Sequence, residues 1–254
     1  MNDDVLKDLR EAAGDEEALE WFLNAPISSP ERVFAAFRSL PNAREAHADG
    51  KRGYLYVPGT RQDRCLLAAH ADTYYDEAYM GAVLENRAVF RDGAYRGVNG
   101  NASIGADDRS GCAMLWLLRS SGHSLLITDG EERGQIGARY LRDSDPELFR
   151  ELNGHSFILQ LDRRGGSDYK LYDVPVTDEF RDYIEAETGF TRAFGSGRTD
   201  IIVLCESVCG ANLSVGYVHE HHSEELLRLE EWKNTLSIVR RMLAKPLKRY
   251  PIRP

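Results

Sequence analysis

The stretch IGADDRSG, residues 104–111, decides how the rest of the chain reads. It sets two adjacent carboxylates, Asp107 and Asp108, just ahead of the apolar run CAMLWLL at 112–118, with glycines on either side. That order predicts a strand-to-helix turn followed by the helix it opens. In water two neighbouring aspartates would point apart and stay solvated. Held at the mouth of a sheet, one carboxylate can bridge two cations, because it offers two oxygens and about four lone-pair sites. Acidic residues at a helix start also act as caps or as partners of the helix dipole. The string takes its meaning from the residues it is found with.

Upstream, the first forty residues read as helical, with an apolar stripe at Val5, Leu6 and Leu9. A second helix has Ser29 as N-cap and Pro30 at its first position, ahead of VFAAF. From Ala43 the pattern changes to strands. Asp49-Gly50 is a hairpin-type turn, GYLYV at 53–57 is a strand, and the continuous apolar run from Cys65 to Ala69 suits a strand buried on both faces. Residues 82–97 read as a hairpin, with Asn86-Arg87 and Asp92-Gly93 as turn candidates.

Downstream, strand and helix alternate: helix 109–119, strand 124–128, helix 134–141, strand 156–161, helix 178–187, an apolar segment from Ile201, strand 211–217 and a closing helix 224–243. This alternation predicts an α/β fold with a mixed, mainly parallel central sheet covered by helices on both faces. No repeat or linker interrupts it, so residues 1–254 are read as one domain.

Bulk composition narrows the function. A net charge of -9 argues against nucleic acid or an anionic membrane as partner. No stretch approaches the roughly 18 apolar residues of a membrane span. The acidic, amphipathic N-terminus lacks the basic start and apolar core of a signal peptide. Cys65, Cys112, Cys205 and Cys209 lie in apolar segments, as reduced core thiols do, and a cytoplasmic location is expected. The i, i+4 spacing of Cys205 and Cys209 leaves a local disulfide or half a metal site open. No oligomer interface is indicated.

Open α/β sheets place their sites beyond the carboxyl ends of the strands. Those ends carry His70-Ala71-Asp72, then Asp107-Asp108, then Asp129-Gly130-Glu131-Glu132, then Asp162, then His219-Glu220-His221-His222. Solvated loops would as readily offer Lys, Ser or Asn. Five such ends, each delivering Asp, Glu or His, predict a shared cation site.

HAD, GADDRSG, DGEERGQIGA, LD and GYVHEHHS, in this order, closely resemble the motif series of the co-catalytic dizinc exopeptidases, the clan of zinc aminopeptidases and related carboxypeptidases. The resemblance runs from about Arg64 to Trp232, and Glu131–Ala138 (EERGQIGA) beside ADDRSG is its most diagnostic part. It implies two zinc ions, with cobalt or manganese accepting similar ligands. It implies that His70 and Asp162 bind one metal, Glu132 and His222 the other, and that Asp107 bridges both through a cis Asp107–Asp108 peptide. Glu131 is then the general base, and Asp72 holds the His70 imidazole from behind. His219 and His221 match no required ligand and are read as loop residues near substrate. Asp at position 162 points to an aminopeptidase rather than a carboxypeptidase.

The implied reaction is hydrolysis of an amide bond in a small peptide, with deacylation of an N-acyl amino acid as the alternative and a non-catalytic binding module as the rival from another class. Relatives often carry a lid or dimerisation domain inserted beside a ligand. Only 36 positions separate Asp162 from Arg198 and 37 separate His70 from Asp107, so no such insertion fits. Tyr217 and Arg198 are the candidates for oxyanion or substrate contact, with a surface salt bridge as the other reading of Arg198.

Overall fold

The computed structural model describes residues 3–48, 53–74, 87–98 and 103–253, without the side chains of residues 3–5. Val5, Asp49-Gly50 and Asn86 therefore lie outside the described side chains or residues.

The apolar runs become the middle of an eight-stranded sheet. Leu66–His70 (β3), Ser124–Thr128 (β6) and Gly210–Ser214 (β10) are buried throughout, and Ile158–Arg163 (β7) is buried up to its last residue. Side chains buried on both faces need helices above and below, and helices flank this sheet on both sides. The four strands run parallel in the order β6-β3-β7-β10. Arg44–His47 (β1) and Gly53–Val57 (β2) extend the sheet antiparallel beyond β6, while Asp168–Lys170 (β8) and Thr191–Arg192 (β9) complete the other edge. From β3 the chain moves to β6 on one side and then crosses to β7 on the other. The carboxyl end of β3 is therefore a topological switch point, where crevices form in such sheets.

Three helices precede the sheet, Asp3–Glu11 (α1), Asp15–Leu23 (α2) and Glu31–Arg38 (α3). The third begins one residue later than the sequence implies. Pro30 is its cap, and the Ser29 hydroxyl accepts the Glu31 N–H at 3.3 Å. Ala106–Leu118 (α4) is buried on almost every side, which explains its lack of a polar face. It packs against β3 and β7. Gly111 permits that approach, since a Cβ there would run into the Leu161 carbonyl and the Asp108 carboxylate. The helices Ile136–Ser144 (α5), Pro146–Asn153 (α6), Asp178–Thr188 (α7), Ile201–Leu204 (α8) and Leu229–Leu243 (α9) follow.

A second, four-stranded sheet joins Ala88–Arg91 (β4), Ala94–Gly97 (β5), Tyr217–Val218 (β11) and Leu226–Arg228 (β12). Its hairpin turns at Asp92-Gly93, both with positive φ, as the Asp-Gly pair predicts. Residues 226–228 were expected to begin the closing helix. They pair with β5 and β11 instead, and the helix starts at Leu229. All four cysteines are buried and free. No described helix is long and apolar enough to cross a membrane.

Candidate metal centre

His70 ends β3 with its ring buried. Its Nδ1 lies 2.9 Å from the Asp72 backbone carbonyl, which can only accept, so Nδ1 carries the hydrogen. Nε2 then turns a lone pair toward Asp107 Oδ1 at 3.1 Å and Asp162 Oδ1 at 3.2 Å, with Glu131 Oε2 at 3.9 Å. One nitrogen lone pair facing several carboxylate oxygens needs a proton or a cation between them.

Asp162 lies near the end of β7, where the register with β10 breaks between Asn212 and Ser214. There the Asn212 side chain replaces ladder bonds, accepting the Asp162 N–H at 3.0 Å and donating to its carbonyl at 3.2 Å. Gln160 Nε2 and the Thr199 hydroxyl both donate to Asp162 Oδ2, at 2.7 and 2.9 Å, which leaves Oδ1 for His70. The Tyr217 hydroxyl donates to the Asp162 carbonyl at 3.1 Å. It holds the strand end and is not a free oxyanion donor.

Glu131 opens a single 3-10 turn, Glu131–Arg133, after β6 and Gly130. The Asp72 carboxylate accepts the N–H of Glu131 at 3.1 Å and of Glu132 at 3.2 Å, so it caps this turn. It was expected to support the His70 imidazole. Its Oδ1 is 3.5 Å from Nδ1, and the closer contact to the ring is its backbone carbonyl.

Asp107 and Asp108 interrupt helical geometry at the start of α4, and the peptide between them is cis. The Asp108 carboxylate turns inward to the N–H groups of His70 and Gly111. Asp107 turns outward to the cluster. Glu225 fixes the backbone of this loop. Its carboxylate accepts the Gly105 N–H at 2.8 Å, the Asp107 N–H at 3.1 Å and the Ser103 hydroxyl.

The imidazole facing Asp107 and Glu132 is that of His221, a correction to the assignment of His222. His221 Nε2 lies 2.8 Å from Glu132 Oε1 and 3.4 Å from Asp107 Oδ2. His222 is exposed like His221, but among the described residues no ion pair or ligand group joins its side chain to the cluster. Left-handed backbone at His219 and His221 turns the loop, so that the second of these side chains meets the carboxylates. Two groups of potential ligands result among the described residues, His70/Asp107/Asp162 and Asp107/Glu132/His221, each with its ligating atoms within 4.8 Å of one another. They share Asp107.

Burial dominates the electrostatics. It pushes the Glu131 carboxyl up to about 10 against the pull of His70, helped by Asp162, Asp200 and Glu132. Burial likewise raises Asp162 to about 6, against His70 and with Asp107 adding to it. Hydrogen bonds to Asp107 and Glu132 hold His221 up at about 11. Asp107, despite its burial, is held below the ordinary range by His221 and His70. Carboxylates that raise their neighbours, with two imidazole nitrogens facing them, are a donor set suited to divalent cations. A mixture of imidazole and carboxylate fits zinc, cobalt or manganese.

The cluster lines a cavity of about 300 Å³ together with Arg163, Arg164, Lys170, Arg198 and Glu220. Arg198 is among its lining residues, exposed and without an ion pair among the described residues.

The fold is shared with solved peptidases. An aminopeptidase PepT from Bacillus cereus is 14% identical over 91% of this chain and 99% of its own, with a TM-score of 0.68. A tripeptidase from Staphylococcus aureus is 11% identical over 91% and 98%, with a TM-score of 0.61. An aminopeptidase from the archaeon Desulfurococcus kamchatkensis is 11% identical over 92% and 96%, with a TM-score of 0.62. No protein-family model and no curated protein matches the sequence.

Proposed function

We propose that this chain is a single-domain, metal-dependent exopeptidase that hydrolyses the amide bond of small peptides from the amino end. The observation that carries this reading is the pair of ligand sets meeting at Asp107, with Glu131 beside them. His70 and Asp162 would hold one divalent cation, Glu132 and His221 the other, and Asp107 would bridge them. Zinc is the expected metal. Cations so held supply Lewis acidity toward an amide carbonyl and toward water.

The chain's own groups do the rest. With cations offsetting the neighbouring carboxylates, Glu131 would be ionised; it would then take a proton from the attacking water as the water oxygen bonds to the carbonyl carbon, and pass it to the departing nitrogen as the C–N bond breaks. Asp72 holds Glu131 and Glu132 at their backbone N–H groups, so base and ligand are set by one turn. The fold held in common with aminopeptidases and a tripeptidase favours a peptide over other amides. Deacylation of N-acyl amino acids uses the same residues and is the second reading.

The test is a panel of dipeptides, aminoacyl-anilides and N-acyl amino acids, assayed with zinc-loaded protein. Glu131→Gln should retain its metal and lose about 10²- to 10⁴-fold in kcat. Absence of hydrolysis of every amide by the loaded wild type, or undiminished turnover by Glu131→Gln, would overturn the proposal.

A further inference from the structure

Gln160 is the polar residue in the buried run ILQL at 158–161, fully buried and on the same face of β7 as Asp162, two residues on. An amide in that place has lost its water and needs partners for two hydrogens and an oxygen. All of them are used. Its Oε1 accepts the Ile201 N–H at 2.9 Å, and because a backbone N–H can only donate, this contact fixes which way the amide faces. Nε2 is thereby turned to Asp162 Oδ2 at 2.7 Å and to the Thr199 hydroxyl oxygen at 2.6 Å. With that N–H arriving at its oxygen, the Thr199 hydroxyl directs its own hydrogen to the same Asp162 Oδ2, at 2.9 Å. Asn212 Nδ2 adds a longer contact at 3.5 Å. Donors therefore converge on one oxygen of a carboxylate whose other oxygen, Oδ1, faces His70 Nε2 at 3.2 Å.

Thr199 is itself held from two sides. Residues 199–201 are buried, and they span two strands of the sheet: Thr199 and Ile201 bind Gln160 on β7, while the Asp200 carboxylate accepts the Thr128 hydroxyl at the end of β6. Between those strands lies β3, with Ala68 in register with Gln160 and His70 in register with Thr128. The segment is thus anchored on either side of the strand that delivers His70. A carboxylate with no such neighbours could turn either oxygen, or both, toward a cation. Here two short hydrogen bonds occupy Oδ2 and hold the plane of the group.

We propose that Gln160 and Thr199 are positioning residues of the metal centre, which restrict Asp162 to Oδ1 as its single ligating oxygen and aim that oxygen at the cation beside His70. This rests on the ligand assignment above and deepens it, adding to the centre two residues that bind no metal themselves. It also makes the two cation sites unequal, since the contacts converge on Asp162 and leave Glu132 and His221 untouched.

Metal-free wild type, Thr199→Val and Thr199→Ser are titrated with zinc against a competing chelator, and the visible spectrum of each cobalt-loaded protein is recorded. Thr199→Val keeps the shape and removes the hydroxyl, so one of its two zinc affinities should fall by about 10- to 100-fold while the other stays within about 3-fold. Thr199→Ser restores the hydroxyl, and both its affinities should stay within about 3-fold of wild type. The cobalt spectrum should change in Thr199→Val, where Oδ2 is released to coordinate, and match wild type in Thr199→Ser. A hydroxyl that served the fold alone would alter both affinities or neither, and either result would overturn the proposal. So would a Thr199→Ser as weak as Thr199→Val, or one cobalt spectrum for all three proteins. If Thr199→Val does not fold, Gln160→Met is held to the same outcomes. No substrate enters these measurements. Two zinc ions bound by a wild type that cleaves no peptide would sink the hydrolase reading and leave the titration to decide on Thr199. A wild type that binds no zinc would sink the ligand assignment, and this proposal with it.

Discussion

Asp72 serves its neighbours through two different groups, its carbonyl for the His70 ring and its carboxylate for the turn bearing Glu131 and Glu132. The sequence made His70 and Asp72 legible as a pair, but the division of labour depends on a backbone path that two-residue spacing does not specify. The same limit explains His222. Two adjacent histidines present equivalent chemistry, and which one faces inward depends on left-handed φ at His219 and His221. Histidine tolerates that conformation better than most residues, yet nothing local demands it.

A buried histidine away from the site gives a pH prediction at this scale. His155 donates from Nδ1 to the Glu151 carbonyl and accepts at Nε2 from the Ser124 hydroxyl, so it fits as the neutral ring. Burial, helped by Arg64, lowers its pKa to about 4. The unfolded chain binds this proton near the ordinary value of about 6.5. Stability from this group is therefore present above pH 6.5 and is lost as pH falls toward 4. Urea denaturation of wild type should show about 2 kcal/mol more loss between pH 7 and pH 5 than His155→Gln shows. Equal losses in the two proteins would contradict the assignment.

Among the elements, the loop before α4 and the strand β12 depend on each other. Glu225 precedes β12 and binds the N–H groups of Gly105 and Asp107, so the second sheet clamps the loop that presents the shared carboxylate. Glu225→Gln keeps the shape but replaces an acceptor oxygen with a donor, leaving a buried N–H without its partner. Stability should fall by about 1–3 kcal/mol. Zinc affinity should fall by about 10- to 100-fold, as when a group supporting a ligand is removed. Denaturation and zinc titration of the same preparation check both, and unchanged values would remove Glu225 from its supporting role. This clamp was not legible in the sequence, where residues 224–228 continue the helical pattern of α9. Three-residue strands carry too little periodicity to compete with a long amphipathic helix beside them. The buried parallel strands were legible for the opposite reason. Ser124–Thr128 is a short apolar run with clear ends, and its bounds match the expectation.

In the molecule as a whole, the order β6-β3-β7-β10 turns scattered motifs into one site, since it brings the strand ends carrying His70, Glu131 and Asp162 side by side. Alternation of strands and helices implied such a sheet, while the order of its strands came only with the fold. Of the cavity's cations, Arg198 was legible as a candidate substrate contact, whereas Lys170 comes from a short edge strand and only packing shows that it is buried. The central claim is that Asp107 joins two cation sites, completed by His221 rather than His222. Zinc content per chain after equilibration and dialysis tests it most directly. The account predicts two equivalents in the wild type and in His222→Ala, and one in His221→Ala. No saturable zinc in the wild type, or a site lost in His222→Ala while His221→Ala keeps both, would contradict it.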